Sequence, residues 1–212
     1  MLDRLHRSAR RDIFRFGRMA GGMAVRRLLG RKLEAGEQAA LFKDVYIPVN
    51  PDQGQLLYLL ARSIGAKRIV EFGTSFGVST IYLAAAVRDG GGGRVIGTEL
   101  EPSKHAKAAQ HLAEAGLSDF AEVRLGDARE TLQDVPAPVD LVLLDGWKDL
   151  YLPILELVKP KLRRGSLVLA DNIFTFKKGL RPYVEHVQSE ANGFRSSTLH
   201  LSDGFEMSLY LG

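Results

Sequence analysis

The chain has 212 residues, 45% of them hydrophobic, a formal net charge of +4 and no cysteine. Such a length fills one core well, while the lack of cysteine excludes disulfides and thiolate zinc sites and fits a reducing, cytoplasmic setting. No apolar run reaches the ~18 residues of a bilayer span, and residues 1–32 hold ten Lys/Arg against Asp3 and Asp12, which leaves the rest mildly acidic and argues against a nucleic-acid groove in the body.

Residues 1–33 read as a basic amphipathic helical arm in which Leu5, Ile13, Phe14, Phe16 and Leu28 interleave with arginines. The plainer reading is a helix packed on the body or on a second copy of the chain, as in a homodimer. Contact with an anionic membrane surface and a cleaved organellar transit segment are the other two. Residues 34–212 read as one domain.

Asn50-Pro51 is a helix start, followed by Leu56, Leu57, Leu60 and Ile64. Strand and helix patterns then alternate: a strand over 67–72, a helix over 77–88, a strand over 94–100, a helix over 102–116 and a strand over 120–125. A short helix over 128–132, an almost wholly apolar strand over 139–144, a helix over 150–162, a strand over 166–170 and a helix over 179–190 follow. Two last strands, 194–201 and 206–211, form an antiparallel hairpin. The tetraglycine Gly90–Gly93 follows a helix and reads as its terminator, not a phosphate loop. This is an α/β pattern: a doubly wound, mostly parallel, seven-stranded, Rossmann-like sheet with an appended hairpin.

Its first strand runs into Val70-Glu71-Phe72-Gly73-Thr74-Ser75-Phe76-Gly77 and then a helix. The Glu-x-Gly-x-x-x-Gly spacing is neither the Gly-x-Gly-x-x-Gly of dinucleotide sites nor a P-loop. A strand-end carboxylate suits a ligand with a cationic amino acid end, which points to S-adenosylmethionine. An NAD-binding oxidoreductase on the same architecture is the alternative that the glycine spacing disfavours, and an RNA methyltransferase is disfavoured by the acidic body.

Ligands of such sheets bind beyond the carboxyl ends of the strands, and an acid stands at five consecutive ends: Glu71, Glu99, Asp127, Asp145 and Asp171. Glu99 is spaced to accept ribose hydroxyls. Asp127 lies at the adenine edge or caps the short helix after it. Asp145, Asp171 and Asn172 supply hard oxygens from neighbouring strands, which select a cation such as Mg²⁺. Lys148, beside that cation, is a candidate base with a lowered pKa. Trp147 can stack on adenine or simply pack.

Leu144-Asp145-Gly146-Trp147-Lys148-Asp149-Leu150-Tyr151, Leu169-Ala170-Asp171-Asn172 and Asp203-Gly204-Phe205-Glu206 together resemble catechol O-methyltransferases, in one register from about Val49 to the C-terminus. The resemblance implies that Asp145, Asp171 and Asn172 hold Mg²⁺ and that Lys148 deprotonates the reacting hydroxyl of a catechol-like small molecule. Glu206 would accept from the neighbouring hydroxyl. It further implies cofactor contacts from Val49, Glu71, Gly73, Ser79, Glu99, Ala128 and Trp147, with Ser75 standing where the family has a tyrosine. Gly146 replaces a family histidine near the adenine, Phe176 falls at a gate proline, and Tyr46 is near the other wall.

Overall fold

The computed structural model describes residues 1–7 and 49–212. The arm beyond residue 7, and Tyr46 with it, lies outside the described residues. Residues 2–7 are helical and sit on the body. Leu5 is buried in the core, Arg4 pairs with Glu114, and His6 Nε2 lies 3.4 Å from Tyr82 Oη.

Asn50 takes extended backbone, and its Oδ1 accepts from Gln53 N at 2.8 Å while Gln53 Oε1 accepts from Asn50 N at 2.9 Å. This capping box, with Pro51 in the first turn, starts helix α1 (Pro51–Ser63). Five units follow: β1 (Arg68–Phe72) with α2 (Val78–Asp89), β2 (Arg94–Glu99) with α3 (Pro102–Glu114), β3 (Ala121–Leu125) with α4 (Ala128–Thr131), β4 (Val139–Leu144) with α5 (Tyr151–Val158), and β5 (Leu162–Ala170) with α6 (Lys177–Gln188). The chain closes with β6 (Phe194–Leu199) and β7 (Phe205–Tyr210).

The sheet order is β3-β2-β1-β4-β5-β7-β6, parallel from β3 through β5, with β7 antiparallel to both β5 and β6. Every residue of β4 is buried, as a central strand covered on both faces requires. One core layer packs α1, α2 and α3 on the sheet around Leu57, Leu83 and Leu112. The other packs α4, α5 and α6 around Leu132, Ile154 and Leu180.

One expected helix is shorter than its pattern. The run 150–162 splits into α5 and two 3₁₀ turns, Lys148–Leu150 and Lys159–Lys161, with Leu162 already in β5. Pro160 sits in the second turn, lacks an N–H and cannot extend an α-helix. The early start of β5 comes with a register break opposite Val139 and Leu141, where Gly165 takes φ +85°.

Candidate active site

The strand order reverses at β1: the chain winds outward to β2 and β3, then returns to lay β4 on the other side of β1. A crevice opens at such a reversal, beyond the carboxyl ends of the two strands. Here the loops leaving β1 and β4 touch backbone to backbone. Asp145 N donates to Phe72 O at 2.9 Å. A Cβ on Gly73 would lie 2.6 Å from Gly146 N and 2.7 Å from Asp145 O, and Gly73 has φ +95°. Only glycine fits both demands. Gly73→Ala is therefore expected to lose at least ~2 kcal/mol and lower Tm by roughly 4–8 °C; an unchanged thermal melt would contradict this close approach.

Gly146 has its own steric reason. A Cβ there would fall 2.5 Å from the Phe72 ring, which is buried and packs edge-on against Tyr151 at 6.3 Å. The ring fills the space in which any side chain at position 146 would begin. Gly146→Ala is expected to destabilise, and Phe72→Leu to recover part of that loss, with a coupling of about 1 kcal/mol in a double-mutant cycle.

On the β1 side of the crevice, Glu71 is fully buried, and burial raises its pKa although Ser79, Thr80 and Thr74 favour the charged form. Thr74 and Thr80 hydroxyls donate to Oε2, while Oε1 is buried with no hydrogen-bond partner. Ser75, at φ +50°, donates its N–H to Glu99 Oε2 at 2.8 Å, and Glu101 N donates to Glu99 Oε1 at 2.8 Å. The Glu99 carboxylate is thus fixed at the end of β2, beside the glycine turn. Val49, 2% exposed, immediately precedes the α1 cap. Asp127 caps α4 through Arg129 N at 2.8 Å and pairs with the Arg129 guanidinium at 2.6 Å, which lowers its pKa. Of its two readings, the structure displays the cap. Ala128 is buried in the first turn of α4, and Trp147 packs against the core layer of α4 to α6.

Across the crevice, β4 and β5 are hydrogen-bonded neighbours, so Asp145 and Asp171 leave the sheet side by side. Asp171 N still donates to Leu144 O at 3.1 Å. Burial pushes the Asp145 carboxyl up to about 6, with Lys148 opposing and Glu71 adding to the rise. Burial, then repulsion from Asp145, pushes Asp171 up to about 7. Lys148 Nζ lies 3.5 Å from Asp145 Oδ1 and donates to Tyr151 Oη at 2.7 Å. Tyr151 in turn donates to the Asp171 carbonyl at 3.2 Å. Burial lowers the Lys148 pKa, and Asp145 with Asp171 pulls it partly back. Asn172 turns the chain at φ +66°, a conformation Asn tolerates. Phe176 lies over this group, with Lys148 Nζ 5.6 Å from its ring centre.

Two residues in this cluster carried no role in the sequence reading. Tyr151 was visible only as part of a motif. Gln53 was visible only as a helix residue, yet its Nε2 donates to Asp171 Oδ1 at 2.8 Å.

Glu206 stands apart from the cluster. It pairs in register with Ala170, whose side chain belongs to the α4–α6 layer, so Glu206 points to that face. Asp171, one residue further, meets Gln53 of α1 on the opposite face. The Glu206 carboxylate is 0% exposed and accepts from Gln188, Ser196 and Thr198 side chains.

The methyltransferase domain family matches residues 70–173. The catechol O-methyltransferase of Mycobacterium tuberculosis is 38% identical over 147 residues, 68% of this chain and 64% of that protein. That of Bos taurus is 30% identical over 188 residues, 82% of this chain and 67% of that protein. Among solved structures, the O-methyltransferase TomG from Streptomyces achromogenes, in complex with S-adenosylmethionine, superposes with TM-score 0.74 at 30% identity, covering 86% of this chain and 92% of that one. The chain belongs to the S-adenosylmethionine-dependent methyltransferases of catechol O-methyltransferase type. It spans less than two thirds of the mycobacterial relative's length.

Proposed function

We propose that the protein is a Mg²⁺-dependent O-methyltransferase that moves the methyl of S-adenosylmethionine to one hydroxyl of a catechol-like small molecule. The observation that carries this reading is the convergence of Asp145, Lys148 and Asp171 at adjoining strand ends, across one crevice from the glycine turn.

The donor set fits a hard divalent ion. Burial raises the pKa of both carboxyls, and Asp145 adds to the rise in Asp171, as crowded buried carboxylates do. Asn172 adds an amide oxygen, and among the described residues no group hydrogen-bonds that side chain. No cluster of three or more His, Cys, Asp or Glu side chains gathers among the described residues, so the set is two carboxylates and an amide, suited to Mg²⁺ with waters and substrate oxygens completing the shell. The cofactor side fits as well: the partnerless, buried Glu71 Oε1 and the fixed Glu99 carboxylate are acceptors placed for an ammonium group and a ribose.

When bound, S-adenosylmethionine supplies an electrophilic methyl, and Mg²⁺ supplies positive charge that favours ionised, adjacent oxygens. The chain's own work is positional and protolytic. Asp145, Asp171 and Asn172 hold the ion. A phenol ionises near pH 10, leaving roughly one in a thousand molecules ionised at pH 7, and Lys148 takes the proton from the reacting hydroxyl. Burial shifts Lys148 toward the neutral amine that this requires, and Tyr151 holds Nζ beside Asp145. Glu71, Gly73, Ser75, Ser79 and Val49 hold the methionine end, Glu99 the ribose, and Asp127, Ala128 and Trp147 the adenine. Holding acceptor and methyl in line contributes about 7–11 kcal/mol, the largest share of the rate. A Glu206 contact with the second hydroxyl would require its carboxylate to leave the α4–α6 face together with its Gln188, Ser196 and Thr198 donors.

The reading is tested by a methyl-transfer assay over catechols and mono-phenols, with Mg²⁺ and with chelator. Turnover confined to catechols with Mg²⁺ is expected. Equal rates on mono-phenols, or turnover unaffected by chelator, would remove the ion and the vicinal diol from the mechanism.

A further inference from the structure

We propose that Gln53 is a positioning residue for the divalent-ion site, presenting one oxygen of Asp171 to the ion; this rests on the function proposed above. The Gln53 side chain is 3% exposed, and both ends of its amide are engaged. Its Oε1 accepts from Asn50 N at 2.9 Å, and its Nε2 donates to Asp171 Oδ1 at 2.8 Å. Asn172 N donates to the same Oδ1 at 2.7 Å. Two N–H donors thus converge on a single oxygen of the carboxylate. Among the described residues, none of the hydrogen bonds to Asp171 uses Oδ2.

This arrangement has a geometric consequence. A carboxylate held through one oxygen cannot rotate, so its other oxygen is offered in a fixed direction at no further entropic cost. Because Gln53 is also half of the capping box, Asp171 is tied to the first turn of α1 and to the Val49–Asn50 segment at the cofactor edge. The tie joins residues 118 apart in sequence.

The test is isothermal titration of MgCl₂ into the full chain, at one fixed pH, for the parent, Gln53→Met and Asn50→Ala. Gln53→Met keeps the length of the side chain and removes its donor. Asn50→Ala weakens the helix cap and leaves the Asp171 contact. Gln53→Met is expected to weaken Mg²⁺ binding about tenfold, the low end of what loss of a ligand's hydrogen-bond partner costs. S-adenosylhomocysteine affinity should stay near the parent's, and Asn50→Ala should keep Mg²⁺ affinity within about twofold while lowering Tm, as loss of a cap does. If Gln53→Met fails to fold, Gln53→Leu is measured in its place with the same expectation. Parent-like Mg²⁺ affinity in Gln53→Met, or an equal loss in Asn50→Ala, would overturn the role of Gln53 while leaving the ion site standing. A parent that binds no Mg²⁺ would overturn both.

Discussion

Lys148→Ala is expected to lower kcat about 10²–10⁴-fold, the range for a general base, with S-adenosylmethionine affinity little changed. The reasons are geometric. Nζ is held 2.7 Å from Tyr151 Oη and 3.5 Å from Asp145 Oδ1, at the end of β4 and across the crevice from the glycine turn. The base must be neutral to act, and burial lowers its pKa, so the rising limb of the parent's pH–rate profile should lie below the ordinary lysine range. In Lys148→Arg, which cannot lose its proton, that limb should vanish together with the activity. A parent-like pH profile in Lys148→Ala would show that the proton goes elsewhere.

Asp145→Asn should have the second large effect, and in two opposite directions. Removing one of two anionic ligands is expected to abolish Mg²⁺ binding at millimolar concentration and to lower kcat/KM at least ~100-fold. The metal-free protein should nevertheless become more stable. Both carboxyls bind protons more tightly in the folded chain than in the unfolded one, with Asp145 at about 6 and Asp171 at about 7. Their contribution to stability is therefore greatest in acid and is lost as pH rises from about 4 through those values. Replacing Asp145 by an uncharged side chain of the same shape relieves that loss, so a gain of about 1–2 kcal/mol and a Tm rise of roughly 2–8 °C at pH 8 are expected. The same linkage requires Mg²⁺ affinity in the parent to climb between pH 5 and 8, because both ligands must shed protons first. A metal-free melt in which Asp145→Asn gains nothing at pH 8 would mean that the two carboxylates do not strain the fold.

Much of the architecture was legible because it is written locally. The run Ile69–Phe72 into Gly73 and Gly77, the apolar Val139–Leu144 and the Asn50-Pro51 start depend on neighbours within a few residues, and each forms as its pattern implies. The motif at 144–151 and the Asp171-Asn172 pair likewise stand at two adjoining strand ends, as their place in the strand pattern implies. What escaped was decided at long range. That Gln53 reaches Asp171 follows from where α1 lies on the sheet, and nothing near Gln53 signals it. The face taken by Glu206 follows from its register with Ala170, which the hairpin sequence does not specify. Phe72 and Gly146 explain each other only once β1 and β4 are neighbours. The shortened α5 was within reach, since Pro160 marks the break.

The most direct measurement is the crystal structure of the chain grown with S-adenosylhomocysteine and Mn²⁺, located by its anomalous signal. The account predicts one peak ligated by Asp145, by the Oδ2 of Asp171 and by the amide oxygen of Asn172. A map with no metal peak between those side chains, and with the two carboxylates turned apart, would contradict it.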